Sequence, residues 1–243
     1  MAITVASLQA LLDLNKKGFD AGLKGAEGAL DKFGSFVQNN ITGIAVGAGT
    51  AIVGIGAAAL NMSSDIDAAT NSLASDLGIS RDEAEQFGDV LTGIFENNYG
   101  ENLDDIAKGV AAVTKQFGKL DNNELQKITE GIYAISDAFD SDFSDVLDAQ
   151  KVLVDEFGLT GQQALDFIST GFQDGLNRSG DFLDSVREYG NLFGDAKVGA
   201  EGFYSILETG AEGGALGTDK VADAFKELQI RLNEGGDDVS AAF

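Results

Sequence analysis

The sequence contains no histidine, cysteine, tryptophan or proline among its 243 residues. Without histidine and cysteine it has no imidazole bases, thiol nucleophiles, Cys/His zinc sites or disulfides. Basic residues are also scarce, because 16 Lys and Arg stand against 40 Asp and Glu and give a net charge of −24. Binding to nucleic acid needs a cationic face that releases counterions, so no direct nucleic-acid binding is expected.

Two motifs that suggest chemistry fail on their context. Gly54, Gly56 and Ala59 fit the G-x-G-x-x-G/A spacing of a dinucleotide site, but the chain that follows has helical periodicity and no alternating strands. The densest run of acids, Asp137 to Asp148, lacks the glycine and glutamate that a calcium-binding EF-hand loop requires. We therefore expect no catalytic residue, metal or cofactor, and interpret the acids as a solvated face between two amphipathic helices.

Charge divides the chain into regions. Residues 1–61 contain four lysines and four acids, so the whole net charge of −24 belongs to residues 62–243. The pattern predicts an amphipathic, coiled-coil-like helix over 1–40, an apolar Gly/Ala-rich segment over 41–62 and an acidic region of helical hairpins over 63–243. No alternating β-branched run is present, so the predicted fold class is all-α.

The first region, Val5 to Val37, has apolar residues spaced by three and four with one additional gap of four. This spacing is typical of a coiled-coil seam with a stutter, in which Asn15 would set the register. An ordinary helix packed on its own domain fits the pattern as well, since four glycines lower the stability of an isolated helix here.

The second region, Ile41 to Asn61, is an apolar run of glycine and alanine without a charged side chain. Its length suits a membrane-spanning helix, and small residues four apart favour close helix packing. Burial within a protein assembly is the alternative, because the run contains little leucine or phenylalanine. The candidates for helix packing or membrane insertion are Gly43, Gly47, Ala51 and Gly54.

The third region repeats itself. The sequence from Leu77 matches the sequence from Phe157 at an offset of 80 residues. Further along, Phe117 and Gly118 match Phe193 and Gly194 at an offset of 76. Each copy is predicted to be a capped helix, a turn at Gly100 or Gly180, a second helix and a glycine stop at Gly118 or Gly194. One hairpin cannot bury its own apolar stripe, so we expect neighbouring copies to stack.

A shorter pattern recurs three times within this region. Ser or Thr is followed by Ala four residues later and Phe three residues after that, beginning at Ser80, Thr160 and Thr218. The hydroxyl residue is expected to cap the helix, and the Ala and Phe to face the core. The predicted repeat core is Ala84, Phe87, Ala164, Phe167, Ala222 and Phe225.

At this point the residues carry a family resemblance. Gly175-Leu-Asn177 before the hairpin turn, Glu188-Tyr189, and Thr218-Asp-Lys220 with the following Asp-Ala-Phe-Lys-Glu resemble the N-terminal region of phage tail tape measure proteins of the lactococcal-phage type. The amphipathic start, the apolar run and the sequence from Ser64 to Ala69 are similar as well. No catalytic motif belongs to this resemblance.

The resemblance implies a structural role in phage assembly. It implies a helical scaffold for polymerisation of the tail tube, whose length determines the tail length, with tail tube protein and assembly chaperones as partners and homo-oligomers in the tail. The expected locations are the host cytoplasm during assembly and the lumen of the virion tail. A straight helix of 243 residues would reach only about 360 Å, so we expect an N-terminal portion of a longer protein. The alternative is a membrane-active pore or DNA-ejection channel component, acting at the host membrane through the apolar run.

Overall fold

The structure of the protein is a computed structural model that describes residues 62–234. Within this range 79% of the residues are helical and no strand forms. The all-α fold class predicted from the sequence is therefore confirmed. The predicted helix over Val5–Val37 and the apolar run Ile41–Asn61 lie outside the described residues.

Short connections join the helices. In chain order they are α1 (Met62–Leu77), α2 (Arg81–Ala84), α3 (Gly88–Glu96), α4 (Leu103–Phe117), α5 (Asn122–Phe139), α6 (Phe143–Phe157), α7 (Gly161–Gln173), α8 (Phe182–Asp195), α9 (Gly199–Glu212) and α10 (Thr218–Glu234). A 3₁₀ turn, Glu85–Phe87, joins α2 to α3. The first helix of the predicted hairpin is therefore interrupted in this copy, whereas in the second copy it is the continuous helix α7. Gly88 occupies the position of Ile168 in that arm, and glycine lowers helix stability at the break.

Local capping explains where two equivalent helices begin. The Ser80 hydroxyl accepts a hydrogen bond from the Glu83 N–H at 3.3 Å, and the Glu83 carboxylate accepts one from the Ser80 N–H at 2.9 Å. Thr160 and Gln163 form the same reciprocal pair at 3.2 and 2.9 Å. Both are capping boxes, which satisfy N–H groups that the first helical turn would leave unpaired. The helix starts predicted at Ser80 and Thr160 are thus present.

The third occurrence of this pattern behaves differently. Thr218 is buried, and its hydroxyl donates a hydrogen bond to the Asp181 carboxylate and accepts one from the Ser185 hydroxyl. The expectation that Thr218 caps its own helix is therefore wrong. A carboxylate from a distant part of the chain, Asp181, accepts the N–H groups at the start of α10 instead.

One of the two predicted glycine stops is also misplaced. Gly118 ends α4 with a φ of 76°, whereas Gly194 lies inside α8, and the chain reverses later, at Lys197 and Gly199. A Cβ at Gly194 would stand 3.2 Å from the carbonyl oxygen of Glu156 in α6. Gly194 therefore allows a close approach of two helices rather than a helix end.

The repeat unit has three helices rather than the two of a hairpin. The helix before each predicted hairpin packs along its second arm, so α1 lies on α4 and α6 lies on α8. In the second copy the two arms, α7 and α8, touch each other little, and α7 packs on α6 and α5 instead. The third helix supplies the apolar surface that a hairpin alone lacks.

The units join in tandem through one core. Helix α5 contacts α3 and α4 of the first unit and α6 and α7 of the second. After the second unit, α10 packs on α8 and α9, as α6 packs on α4 and α5. A continuous cluster of buried apolar side chains runs from Ala69 in α1 to Ala222 in α10. The stacking expected of incomplete units accordingly occurs within residues 62–234.

Candidate functional site

The structure describes only part of the predicted site residues. The glycine and alanine candidates for helix packing or membrane insertion lie outside the described range: Gly43, Gly47, Ala51 and Gly54. Among residues 62–234, no helix is both long enough and apolar enough to cross a bilayer.

The predicted repeat core is placed unevenly. Its three alanines are all fully buried: Ala84, Ala164 and Ala222. Phe167 is only 5% exposed, whereas Phe87 and Phe225 are half-buried against the edge of the core. Phe87, which lies in the 3₁₀ turn between α2 and α3, thus packs on the edge of the core and is less buried than its counterpart Phe167.

Aromatic rings connect the second unit to α10. Phe167 of α7 meets Phe203 of α9 with ring centroids 6.0 Å apart, and its edge contact with Tyr204 is 5.2 Å. Phe203 contacts Phe193 of α8 at 4.4 Å, and Phe193 stacks on Phe225 of α10 at 4.1 Å. We call Phe167, Phe203, Phe193 and Phe225 the aromatic ladder. It fixes α10 against the second unit, because each pair adds attraction beyond the burial of its area.

A polar junction fixes the start of α10. The Asp181 carboxylate, just before α8, accepts hydrogen bonds from the Thr218 hydroxyl at 3.0 Å, the Thr218 N–H at 3.3 Å and the Asp219 N–H at 3.2 Å. The hydroxyl of Ser179 also donates to Asp181, and that of Ser185 donates to Thr218 at 2.9 Å. A negative charge at a helix N-terminus is stabilising, so this junction orients α10 relative to α8.

The chemistry of the junction favours an ionised Asp181. Burial opposes ionisation, but hydrogen bonds from Ser179, Asp219 and Thr218 outweigh it and lower the pKa of Asp181 to about 2. Gly217 leaves room for this carboxylate, since a Cβ there would collide with it and lie 2.8 Å from the Ser179 hydroxyl. Sequence analysis did not identify Asp181 or Gly217, because their partners are remote in the sequence and no local pattern marks them.

The predicted acidic face is divided among separate contacts. Its carboxylates lie around the connection between α5 and α6: Asp137, Asp140, Asp142, Asp145 and Asp148. Asp145 pairs with Arg187 of α8, and Asp148 accepts a hydrogen bond from Gln116 of α4 at 3.0 Å. Across residues 62–234 no group of three or more potential ligands could hold a metal ion.

One carboxyl group is buried apart from these. Asp166 of α7 is 5% exposed, and burial raises its pKa, while a hydrogen bond from Gln162 at 3.2 Å acts in the opposite direction. Its neighbours in α7 are mainly apolar core residues. General acid–base catalysis of glycoside hydrolysis uses two facing carboxyl groups. The hydrogen-bond partner of Asp166 is the side-chain amide of Gln162 rather than a second carboxyl group.

Large apolar side chains are exposed only at the C-terminal end of the part of the chain whose exposure is described. Leu216 in the α9–α10 connection is 90% exposed, and Leu228 and Ile230 of α10 are 52% and 39% exposed. An apolar side chain that stays in water contributes nothing to the stability of the fold. This concentration, on the helix that the aromatic ladder and the Asp181 junction hold in place, marks α10 as the candidate interaction element.

Comparison with known proteins adds one finding. The model of a family described as phage-related minor tail protein matches residues 95–243, which is more than half of the chain. The matched region begins at the end of α3 and includes the whole second unit and α10. No curated protein and no solved structure matches the chain.

Proposed function

We propose that this chain, which belongs to the family of phage-related minor tail proteins, is the N-terminal portion of a tail tape measure protein. In this role it is a non-catalytic helical scaffold for polymerisation of the tail tube, and the length of the whole protein determines the length of the tail. The family supports a structural role in the phage tail. The assignment as tape measure is our inference from the residues that resemble that class.

The observation that carries the proposal is the tandem order of the helical units. The second unit repeats the first at an offset of 80 residues, and α5 joins the two through a shared core. In such an array each unit contacts mainly its neighbours, so adding a unit extends the array without changing the others. This property suits a protein that sets a length, because the array grows or shrinks by whole units.

The proposed partners are the tail tube protein, the tail assembly chaperones and further copies of the chain. Residues 62–243 carry the whole net charge of −24, so a partner with a basic face would be attracted once it comes within about 1 nm of the surface. The same charge disfavours direct contact with DNA. The proposed locations are the host cytoplasm during assembly and the tail lumen in the virion.

Deleting or duplicating one unit in the phage tests the proposal. Removal of residues 63–142 joins Met62 to Phe143 and keeps the 80-residue register of the repeat. We expect shorter tails after deletion and longer tails after duplication, with a change of at most about 120 Å for a fully extended helix. Tail length is measured by negative-stain electron microscopy.

The control is Phe167→Ala, which loosens the core without changing the number of residues. It should reduce the yield of tails but leave the length of completed tails unchanged. If deletion or duplication of the unit also leaves tail length unchanged, the chain does not measure length, and the proposal is wrong.

The second candidate function is a membrane-active channel component for DNA ejection. The observation that favours it is the apolar run Ile41–Asn61, which has the length of a membrane span and no charged side chain. A tape measure protein that inserts in the host membrane during ejection would combine both functions. Binding to lipid vesicles tests the membrane function, and the tail-length experiment tests the measuring function independently.

A further inference from the structure

The second unit receives helix α5 through an apolar contact that depends on two glycines. Gly161, at the start of α7, leaves room for Ile128 of α5, because a Cβ at Gly161 would stand 2.6 Å from the Ile128 Cδ1 atom. One turn further along α7, Leu165 fills the space beside Gly131 of α5, where a Cβ would stand 2.6 Å from the Leu165 Cδ1 atom. Ile128 and Leu165 are both buried. The two helices therefore interlock, and a larger side chain at either glycine would push them apart.

Leu147 of α6 lies beside this contact. The Gln150 side chain, one turn further along α6, donates a hydrogen bond to the carbonyl of Gly161 at 2.9 Å, so this side of α6 faces the start of α7. Leu147 is on the same side of the helix and is 4% exposed. We call Leu147, Gly161 and Leu165 the joining face of the second unit.

The first unit has charged residues in place of the joining face. At the offset of 80 residues, the three positions are Asp67 of α1, Arg81 of α2 and Glu85 of the 3₁₀ turn. The capping boxes that start α2 and α7 coincide at the same offset. The equivalence of the positions therefore rests on the structure as well as on the sequence.

These three charged residues form one network of ion pairs. The Arg81 guanidinium lies 3.2 Å from the Asp67 carboxylate and 3.5 Å from the Glu85 carboxylate. All three side chains are more than half exposed. Exposed ion pairs contribute little to stability, so the network is not needed to hold α1 on α2.

The network is incompatible with a helix that packs as α5 packs on the second unit. Arg81 stands at the position of Gly161, so a side chain like Ile128 would meet a guanidinium group instead of a gap. Such a helix would also take the carboxylates of Asp67 and Glu85 out of water. Removing charged groups from water is costly unless each finds new partners, and an apolar helix face offers none.

We propose that Asp67, Arg81 and Glu85 form a charged cap, which closes the array at α1 against a further unit of the same kind. Terminal units of repeat arrays need a polar outer face for solubility, and the cap supplies one. The array therefore has a defined first unit. This proposal rests on the tandem packing of the units and does not require that the chain measures tail length.

A duplication in the full chain brings the cap against an α5 helix. Residues 63–142 are repeated once, so that the inserted copy begins with Ser63 in the place of Phe143 and keeps the register of the repeat. The cap of the inserted copy then faces Ile128 and Gly131 of the copy before it. This arrangement tests whether the charged residues oppose the packing of one unit on the next.

Two versions of the duplicated chain are compared. One retains the cap in the inserted copy, and the other carries Asp67→Leu, Arg81→Gly and Glu85→Leu in that copy only, which gives it the joining face of the second unit. The version with the joining face should have a higher Tm, by about 5 °C or more, because no charge is buried at the contact. Thermal unfolding followed by far-UV circular dichroism measures the difference.

The same three substitutions in the natural chain are the matched control. There the network is exposed, so its replacement should leave the Tm unchanged or lower it slightly. A second control is Asp76→Leu in the inserted copy, because Asp76 and its counterpart Glu156 are both exposed. This substitution should not raise the Tm of the duplicated chain.

Three outcomes would overturn the proposal. A version with the joining face that is no more stable than the version with the cap would mean that these residues do not close the array. An equal rise in Tm in the natural chain would show that the residues are unfavourable in the first unit itself, whatever packs against it. A rise of the same size with Asp76→Leu would show that any added leucine has this effect. Each of these results leaves the tail-length experiment unaffected.

Discussion

The substitution Phe167→Ala tests the central claim about packing, that ring contacts of the aromatic ladder hold α7 against α9. Phe167 is 5% exposed and contacts the rings of Phe203 and Tyr204. Truncation to alanine removes these contacts and leaves a cavity that the surrounding helices fill only in part. Because Phe87 holds the equivalent place in the first unit but is half-buried, Phe87→Ala is the matched comparison.

The two substitutions should differ clearly in magnitude. Phe→Ala at a buried position costs about 3–5 kcal/mol of unfolding free energy, and we expect Phe167→Ala to fall within this range. Phe87 is less buried than Phe167, so Phe87→Ala should cost less, about 2–3 kcal/mol. The combination of Phe167→Ala with Phe203→Ala should reveal a coupling of about 0.5–1.5 kcal/mol.

Urea unfolding followed by far-UV circular dichroism measures these differences. The midpoint should decrease more for Phe167→Ala than for Phe87→Ala, while the slope with denaturant stays the same. A loss below about 1 kcal/mol for Phe167→Ala would refute the proposed packing. Equal losses at the two positions would show that the two units are equivalent, contrary to the difference in burial.

Three further predictions concern the Asp181 junction, a close helix contact and the apolar run. Hydrogen bonds lower the pKa of Asp181 from 3.8 to about 2, so its ionised form stabilises the fold above pH 4 and this contribution disappears as the pH falls to 2. The substitution Asp181→Asn should remove this pH dependence and lower the free energy of unfolding at neutral pH by about 1–2 kcal/mol. Urea unfolding at several pH values measures both effects. Gly171→Ala should destabilise the fold by about 1–3 kcal/mol, because the new methyl group would collide with a phenylalanine ring of α8. Gly88→Ala has open space around it and should stabilise the fold by about 0.5 kcal/mol. Thermal unfolding that ranks the two variants in the opposite order would contradict the contact at Gly171. Gly47→Leu should weaken oligomerisation through overpacking, as measured by sedimentation. If the apolar run inserts in a bilayer, sedimentation with lipid vesicles should show that membrane binding is lost only when residues 41–62 are deleted. A wild-type chain that stays monomeric and does not bind vesicles would exclude both roles of the run.

Short-range patterns in the sequence were sufficient for the class of fold and for many helix ends. The cap at Thr160 and its partner Gln163 are three residues apart, so the energy of that contact is available to the isolated segment. The same holds for Gly118, which ends α4 with a positive φ that glycine adopts without strain. The repeat is also visible in the sequence, because its residues recur at a constant offset.

Tertiary contacts decided the features that local patterns could not determine. Thr218 follows the same pattern as Thr160, yet its hydroxyl turns to Asp181, a partner 37 residues away. Gly194 corresponds to Gly118, yet it lies inside α8, where it lets α6 pass close by. Helix starts and stops depend on interactions within a few residues, so the sequence by itself determines them where no distant group competes. Which helices pack together, and which faces stay exposed, depends on the burial of surface between remote segments, and only the folded chain determines it.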